Sequence, residues 1–252
     1  ADTVYTFPVD EVLATEVATA SPEGRAARVA ALTALSSGVP GLFVVSVAGL
    51  AHLLPDPALW AKQAFTVTSD GQLDPQALPE RLVAMGYRRD TLVSRPGEFA
   101  IRGDLIDIFP LTADHPVRIE LFDTDVDSLR IFDEGDQRSM DNVDTVTIPP
   151  ASDLIVPAEQ LKQAAAQLQK QMTAVSAKAV PSVQDALQAN LANTITDFNQ
   201  GDLGEKANLF REVLFGGDYG LLDYLPAAGT VFLDDYARIN DQAAAAEEET
   251  AQ

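Results

Sequence analysis

The sequence has no cysteine, only two histidines (His52 and His115) and only five lysines, and each shortage excludes a class of chemistry. Without cysteine there is no disulfide, no thiolate nucleophile and no cysteine zinc site. The chain therefore suits a reducing compartment, and a cytoplasmic location is expected. The two histidines stand far apart, and neither belongs to a Ser-His-Asp set or an HExxH spacing. The dipeptide Gly-Lys never occurs, so there is no G-x-x-x-x-G-K-[ST] loop to cradle phosphates. No apolar run approaches the ~20 residues that cross a bilayer. The first residues, ADTVYTFPVDEV, lack the basic-then-apolar pattern of a signal peptide, and no membrane partner is expected.

Positive charge is also scarce. Lysine and arginine number 17 against 38 acidic residues, a formal charge of −21. Affinity for DNA comes largely from basic groups that displace counterions, so DNA binding by this chain alone is disfavoured. The basic residues that do occur are unevenly spread. Arg81, Arg88, Arg89, Arg95, Arg102, Arg118, Arg130 and Arg138 place eight of the 17 between positions 81 and 138. A guanidinium offers a planar fork that suits carboxylates and protein interfaces, although ordinary surface ion pairs are the plainer reading.

What is present suffices for folding. Hydrophobic residues make up 46% of 252, enough for one large domain or two ordinary ones. Residues 1–63 read as α/β. Ser21-Pro22 caps a helix running to Ser37, and Gly38 stops it. The apolar run Leu42 to Val47 predicts a strand buried on both faces of a parallel sheet. A short helix is expected over Gly49–Leu54. Residues 64–149 read as an α+β unit: a strand at Phe65–Thr68, a helix ending near Gly86, then three strands with period-2 alternation. In the first, Leu105, Asp107 and Phe109 share one face. In the second, Val117, Ile119 and Leu121 turn inward, leaving Arg118, Glu120 and Phe122 outside. In the third, Leu129 and Ile131 oppose Arg130 and Phe132. Residues 150–252 begin with two amphipathic helices, one striped by Leu161, Leu168, Met172 and Val175, the other by Val183, Leu187, Leu191, Ile195 and Phe198. A strand at Thr230–Leu233 and an acidic, alanine-rich helical end follow.

Two features carry functional meaning. Val231-Phe232-Leu233-Asp234-Asp235 has the outline of a Walker B strand, in which acids at the strand end hold magnesium and orient water. Without a phosphate loop this pattern is weak, and Gly201 to Lys206, which follows a helix, reads as a stop and turn. Phe122 shares an outer strand face with Arg118, and Arg102 is expected one strand away. An aromatic among arginines on a sheet surface has the composition of an interface hot spot, or else lies under a neighbouring helix.

The string Arg95-Pro-Gly-Glu-Phe-Ala-Ile-Arg102-Gly-Asp-Leu-Ile-Asp107-Ile-Phe-Pro110 resembles the signature of a domain shared by UvrB and the transcription-repair coupling factors. The likeness continues through Val117–Phe122, Asp127–Asp133, Gln137–Ser139 and Ile148–Ala151, and again from Leu221–Pro226 into Val231–Asp235. UvrB itself, a damage-verifying ATPase of nucleotide excision repair, is the alternative. It carries a tyrosine-rich hairpin where this chain has only Thr15 to Ser37, and its motif II ends Asp-Glu-Ser-His where this chain has Asp234-Asp235-Tyr236-Ala237.

The resemblance implies a truncated, degenerate P-loop helicase-like domain, residues 1–63 and 150–252, carrying an inserted α+β domain with a mostly antiparallel sheet over 64–149. It implies a chain that begins partway through its first domain and stops before any polymerase-binding or motor domain. It further implies a protein-interaction module that binds UvrA through Arg102, Arg118 and Phe122, with Asp234 and Asp235 as a vestigial motif II. No cofactor or catalysis is expected of this stretch. In the intact protein, ATP and magnesium would serve motor domains that displace stalled RNA polymerase from DNA.

Overall fold

A computed structural model describes residues 3–9, 21–204 and 206–250. Strand β1 (Val4–Phe7) leads by way of helix α1 (Pro22–Ser36) to β2 (Leu42–Val45), and the two strands pair in parallel. Helix α1 starts where the sequence says it should. The Ser21 hydroxyl accepts the Gly24 N–H at 2.8 Å, and Pro22 supplies a preset backbone angle at the first turn. Its Val29, Leu32 and Leu35 are buried at three-residue spacing.

The run from Leu42 does not behave as expected. It leaves the strand at Val45, and Leu42 and Val44 are exposed rather than buried on both faces. The face that carries Leu42 and Val44 is left uncovered among the described residues. Ser46 instead caps helix α2 (Val47–Leu50), accepting the Gly49 N–H at 3.2 Å, which moves this short helix upstream of the predicted Gly49–Leu54. Helix α3 (Pro57–Ala61) follows, capped by Asp56 and burying Trp60.

Strand β3 (Phe65–Thr68) and helix α4 (Leu78–Ala84) open the middle region. A six-stranded sheet follows in sequence order: β4 (Arg88–Arg89), β5 (Glu98–Arg102), β6 (Leu105–Ile108), β7 (Val117–Phe122), β8 (Asp125–Phe132) and β9 (Ser139–Asn142). Only the β4–β5 pair is parallel. The three strands read from alternation are β6, β7 and β8. Strand β5 shows no alternation because Phe99 and Ala100 are both buried, one on each face of the sheet. Strand β9 has no buried residue and hence no apolar signal. Strand β10 (Thr145–Ile148) turns back to pair antiparallel with β3.

Beyond it lie α5 (Ala158–Ser176), α6 (Pro181–Gln200), α7 (Arg211–Phe215) and α8 (Tyr236–Thr250), with short 3-10 turns at Ala207–Phe210 and Leu221–Tyr224. Gly201 ends α6 at φ +83°, in the left-handed conformation that glycine adopts without a Cβ clash. Residues 231–233 form no strand. They pair with no strand among the described residues, and Phe232 is 85% exposed. The strand expected at Thr230–Leu233 is therefore corrected, and among the described residues it adds nothing to the β1–β2 pair. An apolar triplet ahead of two acids reads as a buried strand only where another element covers it, and here it faces solvent.

Three apolar clusters result. The largest joins one sheet face (Phe99, Ile106, Ile108, Ile119, Leu129) to Leu82 and Met85, Val67 and Ile148, and onward to Val29, Leu32 and Trp60. A second lies among Leu161, Leu168, Ile195, Phe198 and Leu214. The third is small, Val93, Ala100, Phe109 and Phe132, and lies on the opposite face of the six-stranded sheet.

Candidate functional site

That opposite face is built by period-2 alternation on adjacent strands. Register places Ala100, Asp107, Arg118, Arg130 and Asn142 in one row across β5 to β9, and Arg102, Leu105, Glu120 and Ser128 in the next. Phe122, beyond Glu120 on β7, stands opposite Asp125. The small apolar cluster closes one end of the face, and the other end is open. There Phe122 is 76% exposed. Leu105 is half-buried and Glu120 half-exposed.

Arg102, Arg118 and Phe122 thus share one face, with Arg102 two strands from β7 rather than one. They are not equally exposed. The Arg118 side chain is only 16% exposed. Its Nε donates to Asp107 Oδ1 at 2.7 Å and its Nη2 to Oδ2 at 2.9 Å. The guanidinium lies 4.3 Å from the centroid of the Phe132 ring, and Nη1 donates to the Gln137 carbonyl. The expectation that Arg118 lies outside, open to a partner, is therefore corrected. A bidentate fork, a carbonyl and an aromatic face hold it within its own domain. The hydrogen bonds to Asp107 raise its pKa further above the usual arginine range. Arg102 is 38% exposed and donates from Nη2 to the same Asp107 carboxylate.

Asp107 is the residue that the sequence reading placed on this face without giving it a role. It is 1% exposed. A carboxylate set among Leu105, Ile106 and Ile108 needs countercharge, because a buried unpaired charge costs several kcal/mol. That requirement was a usable signal. Most of the remaining arginines of the 81–138 cluster are in ordinary pairs: Arg88 with Glu98, Arg130 with Glu120, Arg138 with Asp136, and Arg81 over Phe65.

Comparison with known proteins finds a likeness in the middle region. Residues 65–154 match the family model described as the UvrB interaction domain. These residues, about a third of the chain, are thus similar to that domain. The chain is also similar over nearly all of its length to transcription-repair-coupling factors. That of Bacillus subtilis (strain 168) is 36% identical over 239 residues, covering 94% of this chain and 20% of the relative. That of Staphylococcus aureus (strain USA300) is 34% identical over 245 residues, covering 96% and 20%. The chain thus spans about a fifth of the length of the curated relatives it matches. Both parts of the resemblance read from the sequence, the domain and the coupling factors, are matched.

Outside residues 65–154, the sequence reading singled out Asp234 and Asp235. Both are exposed, and the Asp235 carboxylate accepts the Arg238 N–H at 3.3 Å near the start of α8. Part of the Thr15–Ser37 comparison falls on residues 15–20, and Glu205 within the Gly201–Lys206 turn is likewise outside the described residues. Among the described residues no group of three His, Asp or Glu side chains is placed to hold a metal ion. No helix there is long and apolar enough to cross a membrane.

A second charged cluster escaped the sequence reading. Asp153 is buried, and its Oδ2 meets Arg211 Nη2 at 2.7 Å, His52 Nε2 at 3.0 Å and Arg28 Nε at 3.1 Å. Arg28 also donates to the Pro8 carbonyl and Arg211 to that of Leu53. One carboxylate therefore ties α1, the segment after α2 and the start of α7 to the segment that follows β10. Burial opposes ionisation of Asp153, but Arg211, His52 and Arg28 more than offset it and hold the carboxyl well below its usual range. Burial lowers the His52 pKa, with Asp153 acting in the other direction. Four partners separated by up to about 180 positions leave no local pattern, so only the buried-type context of each could have hinted at them.

Proposed function

We propose that this chain is a protein-interaction module that recruits UvrA in transcription-coupled nucleotide excision repair, docking it on the open end of the sheet face. The observation that carries this reading is Phe122, a large aromatic exposed on the same face as Leu105 and Arg102 of a sheet whose other face is core. Exposed aromatics with neighbouring arginine are the composition of binding hot spots. The description of the matched family and the name of the relatives point to the same process.

The flanks, residues 1–63 and 150–252, are read as one degenerate nucleotide-fold domain around the inserted 64–149. The parallel β1–β2 pair and the Asp153 cluster, which joins residues of both flanks, support that reading. Catalysis, ATP with magnesium, DNA and RNA polymerase are assigned to regions of the intact protein outside this chain, acting in the cytoplasm. Titration of purified UvrA into the chain tests the proposal. Phe122→Ala is expected to cost about 2 kcal/mol of affinity, roughly thirtyfold, with an unchanged melting temperature. A folded Phe122→Ala variant that binds UvrA as tightly as the parent removes the docking face.

A further inference from the structure

We propose that Asp107 is a positioning residue for this face, holding the Arg102 guanidinium out toward the partner, and that Arg118 supports Asp107 rather than contacting the partner. The inference rests on the docking-face reading and divides labour within it.

The two arginines differ in what they have left to offer. Arg118 spends Nε and Nη2 on both oxygens of Asp107 and Nη1 on Gln137, and its plane is covered on one side by Phe132. A partner carboxylate approaching from solvent would have to displace those contacts. Arg102 gives one nitrogen to Asp107 and, among the described residues, makes no other hydrogen bond. The rest of its five N–H donors are available on the solvent side. It stands opposite Leu105, whose other neighbour, Glu120, precedes Phe122 on the same face. The geometry thus presents one half-used guanidinium and one exposed aromatic ring, a match for a partner segment that carries a carboxylate beside an apolar pocket.

The buried carboxylate explains why Arg102 is held. A long side chain that is free in solution loses rotamer entropy when a partner captures it, and prior anchoring removes that loss. Asp107 anchors Arg102, and Arg118 supplies both oxygens of this buried carboxylate with a bidentate partner. As a source of net stability such a buried group is weak, since a well-packed apolar residue would serve as well. Its direction is what the face uses.

The test is a double-mutant cycle on UvrA affinity, read by calorimetric titration of the whole chain, with Phe122→Ala as the control for the face. Arg102→Ala and Asp107→Asn are each expected to weaken binding roughly five- to tenfold. The double variant is expected to be no weaker than Arg102→Ala alone, because the effect of Asp107 passes through Arg102. A merely structural role for Asp107 gives losses that multiply, and that result overturns the inference. It is equally overturned if Phe122→Ala weakens binding while Asp107→Asn binds like the parent, and the docking face then survives. If Phe122→Ala and Arg102→Ala both bind like the parent, the docking face itself falls, and the inference with it. Should Asp107→Asn fail to fold at the assay temperature, Asp107→Glu takes its place in the cycle, since it keeps the charge and shifts it by one methylene.

Discussion

Replacing Asp153 with asparagine would keep its shape and remove its charge, leaving Arg28 and Arg211 buried together without their shared countercharge. Removing one partner of a buried ion pair costs about 3–5 kcal/mol. Here a single carboxylate serves two guanidinium groups and an imidazole, so the upper part of that range applies. A chain of this size loses about 2–4 °C of melting temperature per kcal/mol, so about 4–5 kcal/mol gives a drop of roughly 8–20 °C. Thermal unfolding followed by circular dichroism at neutral pH reads it directly.

The same cluster sets a pH signature. The folded state holds the His52 pKa below its ordinary 6.5, so the unfolded chain takes up a proton that the folded chain refuses. Stability therefore falls as pH drops below about 6.5 and levels off once the folded imidazole also protonates. Asp153, held far below its ordinary 3.8, adds stability that is fully present above that value and lost as pH falls beneath it. His52→Gln, which can still donate to Asp153, is expected to flatten the first step and leave the second. An Asp153→Asn variant melting within about 2 °C of the parent would refute the reasoning, because the cluster would then be solvated rather than structural.

Two further outcomes are expected. Arg118→Ala should destabilise the chain by about 2–4 kcal/mol, less than a fully orphaned charge because Arg102 still holds Asp107, and an unchanged urea midpoint would exclude the supporting role. The chain should neither hydrolyse ATP nor bind it tightly, since it lacks a Gly-Lys loop; a saturable micromolar affinity abolished by Asp234→Ala would overturn that expectation.

The alternating strands were legible because one face is core and the other is not. Val117, Ile119 and Leu121 are buried, while Arg118, Glu120 and Phe122 are not. Where that asymmetry fails, the sequence misleads. Strand β5 is buried on both faces and shows no period, β9 is exposed throughout, and Leu42 and Val231–Leu233 look like core although nothing among the described residues covers them. Alternation told which way Arg118 points but not what it meets. The depth of a side chain on an outward face depends on its cross-strand neighbours, and Asp107 and Phe132 come from two other strands.

Those neighbours also bear on what the face can bind. Across it, Arg102, Arg118 and Arg130 meet Asp107 and Glu120, three cations against two anions in direct pairs. A nucleic-acid surface gains affinity from cations that are free to displace counterions, and arginines already committed to carboxylates release few. On a chain of net charge −21, arginines paired in this way would attract little DNA. Discrimination between a protein partner and a phosphate backbone is then set by how the guanidinium groups are paired rather than by how many there are. Fixed donors beside an exposed Phe122 suit a partner whose carboxylate and apolar pocket are themselves fixed, because each side then loses little freedom on docking.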